Sequence, residues 1–314
     1  MELIIQIILL IIGFVLLIKG ADVFVDGASN VAYNFNIPAV IVGLTIVAFG
    51  TSAPEAATSI AFQCGNSGGV ALGNIIGSNI FNILMVVGIS ALIGTLAVDK
   101  VLIKRDFPFL IISSIGLLLI SLTFHKLSQL CGVIFLIIII IYVYRLVQEA
   151  RHDKEAMSQK TEIKLSVKKS WIYLIIGLIA IVIGSAFIER SLDNLIETYH
   201  LNNLLMGATV VAIATSMPEL ITSVSALKKG ENGIVIGNAL GSSIFNILFI
   251  LGISSAIKPI PIGADVIPDI LFMTVITIIG AGFAYTQNEI DKKEGIILVI
   301  LYIIYIAYLV MKYI

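Results

Sequence analysis

The chain has 314 residues, of which 59% are hydrophobic and 12% are charged, and its net charge is −1. Together with a mean hydropathy of +1.08, this composition excludes an ordinary soluble globular domain and indicates a polytopic membrane protein. The two cysteines, Cys64 and Cys131, lie far apart with no histidine at ligand spacing. This argues against a thiolate metal site and against a disulfide framework.

Runs of about 20 apolar residues, the length that crosses the hydrocarbon core of a bilayer, occur ten times along the chain. The first span starts at the N-terminus without a basic leader, so we expect no removable signal peptide. A long polar stretch separates the fifth span from the sixth. The predicted spans lie near residues 3–32, 37–63, 70–95, 103–124, 128–148, 170–198, 203–227, 233–257, 264–285 and 292–313.

The sequence therefore predicts an all-α polytopic membrane protein with ten transmembrane helices. One five-helix unit is expected at 1–148, a linker at 149–169 and a second five-helix unit at 170–314. The linker is rich in lysine and arginine, and short basic loops face the cytoplasm. Since five spans precede it, both termini are expected outside the cell, with the protein in the plasma membrane. Of the 19 basic residues, only Lys126, Arg190, Lys258 and Lys312 then fall outside.

The two halves repeat the same sequence pattern at a constant spacing of 164 positions. GLTIVAFGTSAPEAATSI from Gly43 matches GATVVAIATSMPELITSV from Gly207, and GNIIGSNIFNILMVVGIS from Gly73 matches GNALGSSIFNILFILGIS from Gly237. Matching positions are five spans apart, and because five is odd the second copy must cross the membrane in the opposite direction. Inverted repeats are typical of secondary transporters, whose substrate site lies between the repeats near the membrane midplane.

Each copy places a proline and a carboxylate inside an apolar span, in TSAPE at 51–55 and TSMPE at 215–219. Proline disturbs the preceding helical turn, and backbone oxygens freed in a membrane are tolerated where they line a cavity or meet a ligand. A charged side chain at this depth costs about 2.5–3.5 kcal/mol on insertion scales, and a bound cation offsets that cost. Carboxylate, hydroxyl and carbonyl oxygens suit a hard cation. The candidate ligands here are Thr51, Ser52, Glu55, Thr215, Ser216 and Glu219.

The following span of each copy adds a polar stripe. Asn74, Ser78 and Asn82 recur at intervals of four, which places them on one helix face. Ser78 and Asn82, with their partners Ser242 and Asn246, are expected either to coordinate an ion or to form hydrogen bonds between helices.

At these motifs the chain resembles the cation/calcium exchanger superfamily, and within it the Na+/Ca2+ exchanger branch of prokaryotic type. The resemblance rests on VAFGTSAPE with GNIIGSNIFN and on VAIATSMPE with GNALGSSIFN, and the predicted layout extends it over nearly the whole chain. It implies that Glu55 and Glu219 are the central Ca2+ ligands, with the carbonyl oxygens of Thr51 and Thr215. It also implies flanking Na+ sites formed by the hydroxyls of Ser52, Ser78, Ser216 and Ser242 and the carbonyls of Ala48 and Ala212.

The chain departs from the family pattern in two ways. Ala214 stands where the first copy has Gly50, which alters the flexibility expected at the second break. Asn82 and Asn246 are both neutral, whereas the K+-dependent branch carries an aspartate at the latter position. K+ dependence is therefore disfavoured, and the Ca2+/H+ branch, which has carboxylates in a GNxxE pattern, ranks second.

The resemblance implies a secondary active antiporter that exchanges Na+ for Ca2+ by alternating access, with H+/Ca2+ or K+-dependent antiport as alternatives. Three Na+ against two carboxylates leave a net charge, so exchange is expected to be electrogenic. An intramembrane enzyme would need paired aspartates, a serine–histidine pair or a histidine-rich metal motif, none of which the spans contain. A passive channel is a further alternative. It would conduct ions without coupling their movement to a counter-ion, and a flux assay distinguishes the two. Beyond Ca2+, Na+ and the lipid bilayer we expect no cofactor, no nucleic acid and no obligatory protein partner.

Overall fold

The computed structural model describes residues 2–65, 68–152, 165–198 and 212–313. Almost all of these residues are helical, because a helix satisfies its own backbone hydrogen bonds in an apolar environment. The helices are α1 (Glu2–Phe35), α2 (Ala39–Thr51), α3 (Ala53–Cys64), α4 (Gly68–Ile93), α5 (Leu102–Phe124), α6 (Gln129–His152), α7 (Val167–Thr198), α8 (Ala212–Thr215), α9 (Met217–Lys228), α10 (Asn232–Ile257), α11 (Ile267–Gln287) and α12 (Lys292–Tyr313).

Within the described ranges, eight helices are long and apolar enough to cross a membrane, and the bent pair α2–α3 brings the number to nine if it is counted as one span. The molecule is thus a multi-pass membrane protein. The seventh predicted span, 203–227, begins outside the described residues, which resume with α8 and α9. The count of ten spans and their division at 148 and 169 stay predictions.

The second predicted span, 37–63, is not one straight helix. α2 and α3 meet at Ser52 with a bend of 47°. Pro54 lies in the first turn of α3, where its missing N–H has no helical acceptor to lose. The same break separates α8 from α9 at Ser216, with Pro218 in the first turn of α9. Each proline thus ends one helix and starts another.

α4 and α10 are the inner helices of the molecule, since nearly all of their residues are buried. The other long helices expose rows of large apolar side chains, such as Ile112 on α5 and Ile140 on α6. Such surfaces fit a lipid environment rather than water.

α1 and α7 pack along their length in opposite directions, through small residues on both helices. A Cβ on Gly27 would lie 2.3 Å from the backbone nitrogen of Leu174, and one on Gly13 would lie 2.8 Å from a side-chain carbon of Ile188. Backbone contact this close is possible only without a side chain, as at many helix pairs in membranes.

Four two-residue strands lie between the helices in the part of the chain that the structure describes. β1 (Leu96–Ala97) pairs with β4 (Glu289–Ile290), and β2 (Lys126–Leu127) pairs with β3 (Ile260–Pro261), both antiparallel. The strands lie in the turns between spans, where the backbone needs partners outside the helices. They tie turns of the first half of the chain to turns of the second half.

Four helical segments of the described residues are π-helical rather than α-helical, a feature that the sequence did not predict. Two of them follow the polar stripes and begin at Asn82 on α4 and Asn246 on α10. π-turns are rare and often lie at functional sites. The segments are Gly43–Val47, Asn82–Val87, Leu102–Asp106 and Asn246–Ile250.

Candidate cation-binding site

The two helix breaks meet in the interior, against α4 and α10. Glu55 and Glu219 lie in the first turns of α3 and α9, and both side chains are fully buried. Ser52 Oγ donates to Glu219 Oε1 at 2.9 Å, and Ser216 Oγ donates to Glu55 Oε1 at 3.1 Å. Each break therefore supports the carboxylate that follows the other break.

The remaining oxygens of the two carboxylates have no hydrogen-bond partner among the described residues. These are Oε2 of Glu55 and Oε2 of Glu219, both buried. A buried acceptor without a donor costs about 1–3 kcal/mol, and more when it is charged. A cation between the two carboxylates would remove that cost for both.

Thr51, at the end of α2, is held by the amide of Asn238 on α10. Thr51 Oγ1 donates to Asn238 Oδ1 at 3.0 Å, and Asn238 Nδ2 donates to Ser223 Oγ at 3.0 Å. Asn238 Nδ2 also lies 3.2 Å from the carbonyl oxygen of Glu219. The chain of bonds fixes the end of α2 against α9 and α10.

The second half repeats this chain of bonds. Thr215 Oγ1 donates to Asn74 Oδ1 at 3.3 Å, and Asn74 Nδ2 donates to Ser59 Oγ at 3.2 Å. Asn74 was expected only to share the polar face of α4, and Asn238 was not singled out at all. Their recurrence in the two GN motifs is the sequence signal that identifies them.

The equivalent serines of α4 and α10, Ser78 and Ser242, differ in their contacts at this site. Ser242 Oγ lies 3.4 Å from Glu219 Oε1 and 3.5 Å from the carbonyl oxygen of Ala48. Ser78 Oγ is buried and has no hydrogen-bond partner within the described ranges. Ala212 is the first described residue of α8, three positions before Thr215.

Asn246 joins α10 to α4. Its Nδ2 donates to Asn79 Oδ1 at 3.0 Å, and Asn79 Nδ2 in turn donates to the carbonyl oxygen of Ser243 at 3.2 Å. The nitrogen of Asn246 thus forms an interhelical hydrogen bond, while its oxygen and both polar atoms of Asn82 are buried without a partner in the described chain. Asn79, which the sequence reasoning missed, differs from its counterpart Ser243.

The two halves also differ at the break itself. A Cβ on Gly50 would lie 2.8 Å from Cζ of Phe24 on α1, so glycine lets this ring pack against the end of α2. The counterpart Ala214 is buried as well. The departure noted in the sequence therefore has a packing consequence at α1.

The charge of the site comes from two carboxylates. Among the described residues there is no group of three or more histidine, cysteine, aspartate or glutamate side chains that could hold a metal ion. Two carboxylates with hydroxyl, amide and carbonyl oxygens favour a hard cation.

Comparison with known proteins points to one family. The family model described as sodium/calcium exchanger protein matches residues 5–148 and 169–311. The putative antiporter CaxA of Alkalimonas amylolytica is 37% identical over 80% of this chain and 81% of that protein. The sodium/calcium exchanger MaX1 of Methanosarcina acetivorans is 30% identical over 96% of this chain and 97% of that protein.

A solved structure shows the same fold. The sodium-calcium exchanger NCX_Mj, soaked with Na+ and Ca2+, is 32% identical and superposes with a TM-score of 0.85 over 97% of this chain and 98% of that one. The resemblance seen in the two repeated motifs is thereby confirmed. The chain belongs to the sodium/calcium exchanger family of membrane antiporters.

Proposed function

We propose that this protein exchanges Na+ for Ca2+ by alternating access. The family supports antiport of a cation against Ca2+, and the names of MaX1 and NCX_Mj support Na+ as the coupling ion. The reciprocal bonds from Ser52 to Glu219 and from Ser216 to Glu55 carry the proposal, because they couple the two carboxylates at one buried point.

Ca2+ binds between Glu55 and Glu219 in this proposal, with the carbonyl oxygens of Thr51 and Thr215 as further ligands. The partnerless Oε2 atoms of the two glutamates support this placement. Na+ ions occupy positions on either side of Ca2+ in this proposal. The buried oxygen atoms near the two helix breaks support these positions. The proposed flanking ligands are the hydroxyls of Ser52, Ser78, Ser216 and Ser242 and the carbonyl oxygens of Ala48 and Ala212. Asn82 and Asn246 are proposed as further cation ligands.

Charge balance favours electrogenic exchange. Two ionised carboxylates are neutralised by one Ca2+, whereas three Na+ leave the loaded site with one positive charge. Each cycle then moves one net charge, and the membrane potential contributes about 2.3 kcal/mol per 100 mV to the driving force.

The proposed architecture has ten spans in two inverted five-helix repeats at 1–148 and 170–314. The antiparallel packing of α1 and α7, and the pairing of turns between the halves, support it. With the basic linker in the cytoplasm, both termini lie outside the plasma membrane. The long helices α1 and α7 slide past the remaining helices to change access.

Ca2+ uptake into proteoliposomes, driven in turn by outward gradients of Na+, K+ and H+, tests this proposal. Uptake should follow the Na+ gradient and stay at the background level with K+ or H+ alone. Uptake that follows the H+ gradient would establish H+/Ca2+ antiport instead, and a need for K+ besides Na+ would establish the K+-dependent alternative.

A further inference from the structure

A third carboxylate, that of Glu189 on α7, contacts α3 about one helical turn beyond Glu55. Thr58 Oγ1, on α3, lies 3.2 Å from Glu189 Oε2 on α7. Thr58 is three residues beyond Glu55, which corresponds to about 5 Å along the helix axis. The carboxylate of Glu189 is close enough to interact electrostatically with that of Glu55. Glu189 and Thr58 are half-buried, whereas Glu55 is fully buried.

Ser185 lies on the same face of α7 as Glu189, because residues four apart are neighbours on a helix. Leu178 marks the other end of this face: its Cδ1 would lie 3.2 Å from a Cβ on Gly50 of α2. The face thus runs from the end of α2, at Leu178, to Thr58 on α3, at Glu189.

The hydroxyl of Ser185 is the second sign of a site. Its Oγ is fully buried and has no hydrogen-bond partner among the residues that the structure describes. A buried hydroxyl without a partner is costly unless a ligand reaches it. One helical turn before Glu189 on α7, it offers a neutral oxygen on the same face as that carboxylate.

Among the described residues, α1 has its carboxylates at other positions: Asp22 accepts from Ser225 Oγ on α9, and Asp26 pairs with Lys229. The positions equivalent to Ser185 and Glu189 on α1 are Ala21 and Val25, which are buried apolar residues. Since the motifs on either side match between the halves, this difference makes one access path chemically different from the other.

We propose that Glu189, Thr58 and Ser185 form an outer cation-binding site between the external solution and Glu55. This inference rests on the proposed function and orientation, in which α3 and α7 run outward from the break. One carboxylate and two hydroxyls suit a hard divalent cation such as Ca2+, and the partial exposure of Glu189 lets the ion keep some of its water. The site captures Ca2+ from outside and raises its local concentration beside Glu55.

Glu189→Gln tests the site, with Ca2+ itself as the probe. The KM for Ca2+ is measured separately at the outer and inner faces, in right-side-out and inside-out vesicles. The outer KM should rise about tenfold, with a smaller change in kcat, and the difference from the unmodified protein should shrink as salt increases. The inner KM should not change. Glu189→Asp, which keeps the charge, should restore most of the outer affinity, and Ser185→Ala should raise the outer KM alone.

Asp265→Asn is the matched control. It removes an exposed carboxylate from the same proposed side of the membrane, in the turn before α11, and should leave both KM values unchanged. An unchanged outer KM in Glu189→Gln, or equal changes at both faces, overturns the proposal. If that variant does not insert, Thr58→Val is measured instead, and an outer KM equal to that of the unmodified protein again overturns it. Failure of the unmodified protein to exchange Na+ for Ca2+ counts against the proposed function and not against this site.

Discussion

Ser52 donates a hydrogen bond of 2.9 Å to Glu219, which lies 167 positions further along the chain. The reverse bond runs from Ser216 to Glu55. Each glutamate is therefore held by the serine at the helix break of the other half of the chain. A movement of one break displaces the carboxylate of the other half, which couples the two halves at the point where the ion is proposed to bind.

Replacing either Glu55 or Glu219 with glutamine should abolish Ca2+ transport. Each variant leaves a divalent ion with half of its counter-charge in a buried site, where charge interactions are strong. Transport is measured as 45Ca2+ uptake into proteoliposomes, and insertion is checked by the elution profile in detergent. Glu289→Gln, in a strand remote from the breaks, is the control and should transport normally. Near-normal uptake by either variant would mean that the central site lies elsewhere.

Alanine at Ser52 and alanine at Ser216 should weaken Ca2+ binding to a similar extent. Each change removes one hydrogen bond to a carboxylate, an interaction that contributes about 1.5–3 kcal/mol, which corresponds to a roughly tenfold or greater rise in KM. Equal effects are expected because the two bonds have the same form. An effect at one serine and none at the other would show that the bonds are not equivalent in transport.

Cysteines at positions equivalent in the two halves should label from opposite sides of the membrane. Ala48→Cys and Ala212→Cys are made in a background without Cys64 and Cys131, and membrane-impermeant thiol reagents are added to one side at a time. Na+ and Ca2+ should change both labelling patterns, because they shift the populations of the two access states. Labelling of both cysteines from the same side under every condition would contradict alternating access between inverted repeats.

Asp106 should contribute to stability rather than to transport. It is fully buried on α5, accepts from the hydroxyl of Tyr142 at 2.6 Å and pairs with Arg105 at 2.9 Å. Asp106→Ala leaves these donors without their buried acceptor, which costs about 1–3 kcal/mol or more and should lower the unfolding temperature in detergent. Glu149→Gln removes the exposed partner of Arg105 and should have little effect. Equal destabilisation by the two variants would show that burial of the carboxylate does not determine how much it contributes to stability.

The repeated motifs made the centre of the site predictable. The constant spacing between TSAPE and TSMPE indicated that Glu55 and Glu219 serve one site, and the prolines indicated helix breaks beside them. The structure brings both breaks together through the two serine–glutamate bonds. Which serine supports which carboxylate was not predictable, because the bonds cross between the halves and depend on tertiary packing.

Other features of the structure could not be predicted from the sequence, for reasons that the structure makes clear. Asp106 bonds to Tyr142 and Asp269 to Tyr305, both pairs being 36 positions apart. The two pairs are themselves 163 positions apart rather than 164, since the second half is one residue shorter before α11. A search at constant spacing therefore passes over them. The π-helical segments at Asn82 and Asn246 were not predictable either, because their residues also suit an α-helix.

The reversal potential of Ca2+ flux tests the central claim most directly. Proteoliposomes with fixed Na+ and Ca2+ gradients are held at a series of potentials with K+ and valinomycin, and the potential at which net Ca2+ flux is zero is determined. Exchange of three Na+ for one Ca2+ predicts faster uptake when the interior is positive, because one positive charge leaves with each Ca2+ that enters. It also predicts a reversal potential that moves with the Na+ gradient. Ca2+ flux that does not depend on the Na+ gradient would contradict the account. A Na+-dependent flux without a reversal potential would indicate a stoichiometry of two Na+ per Ca2+ instead of three.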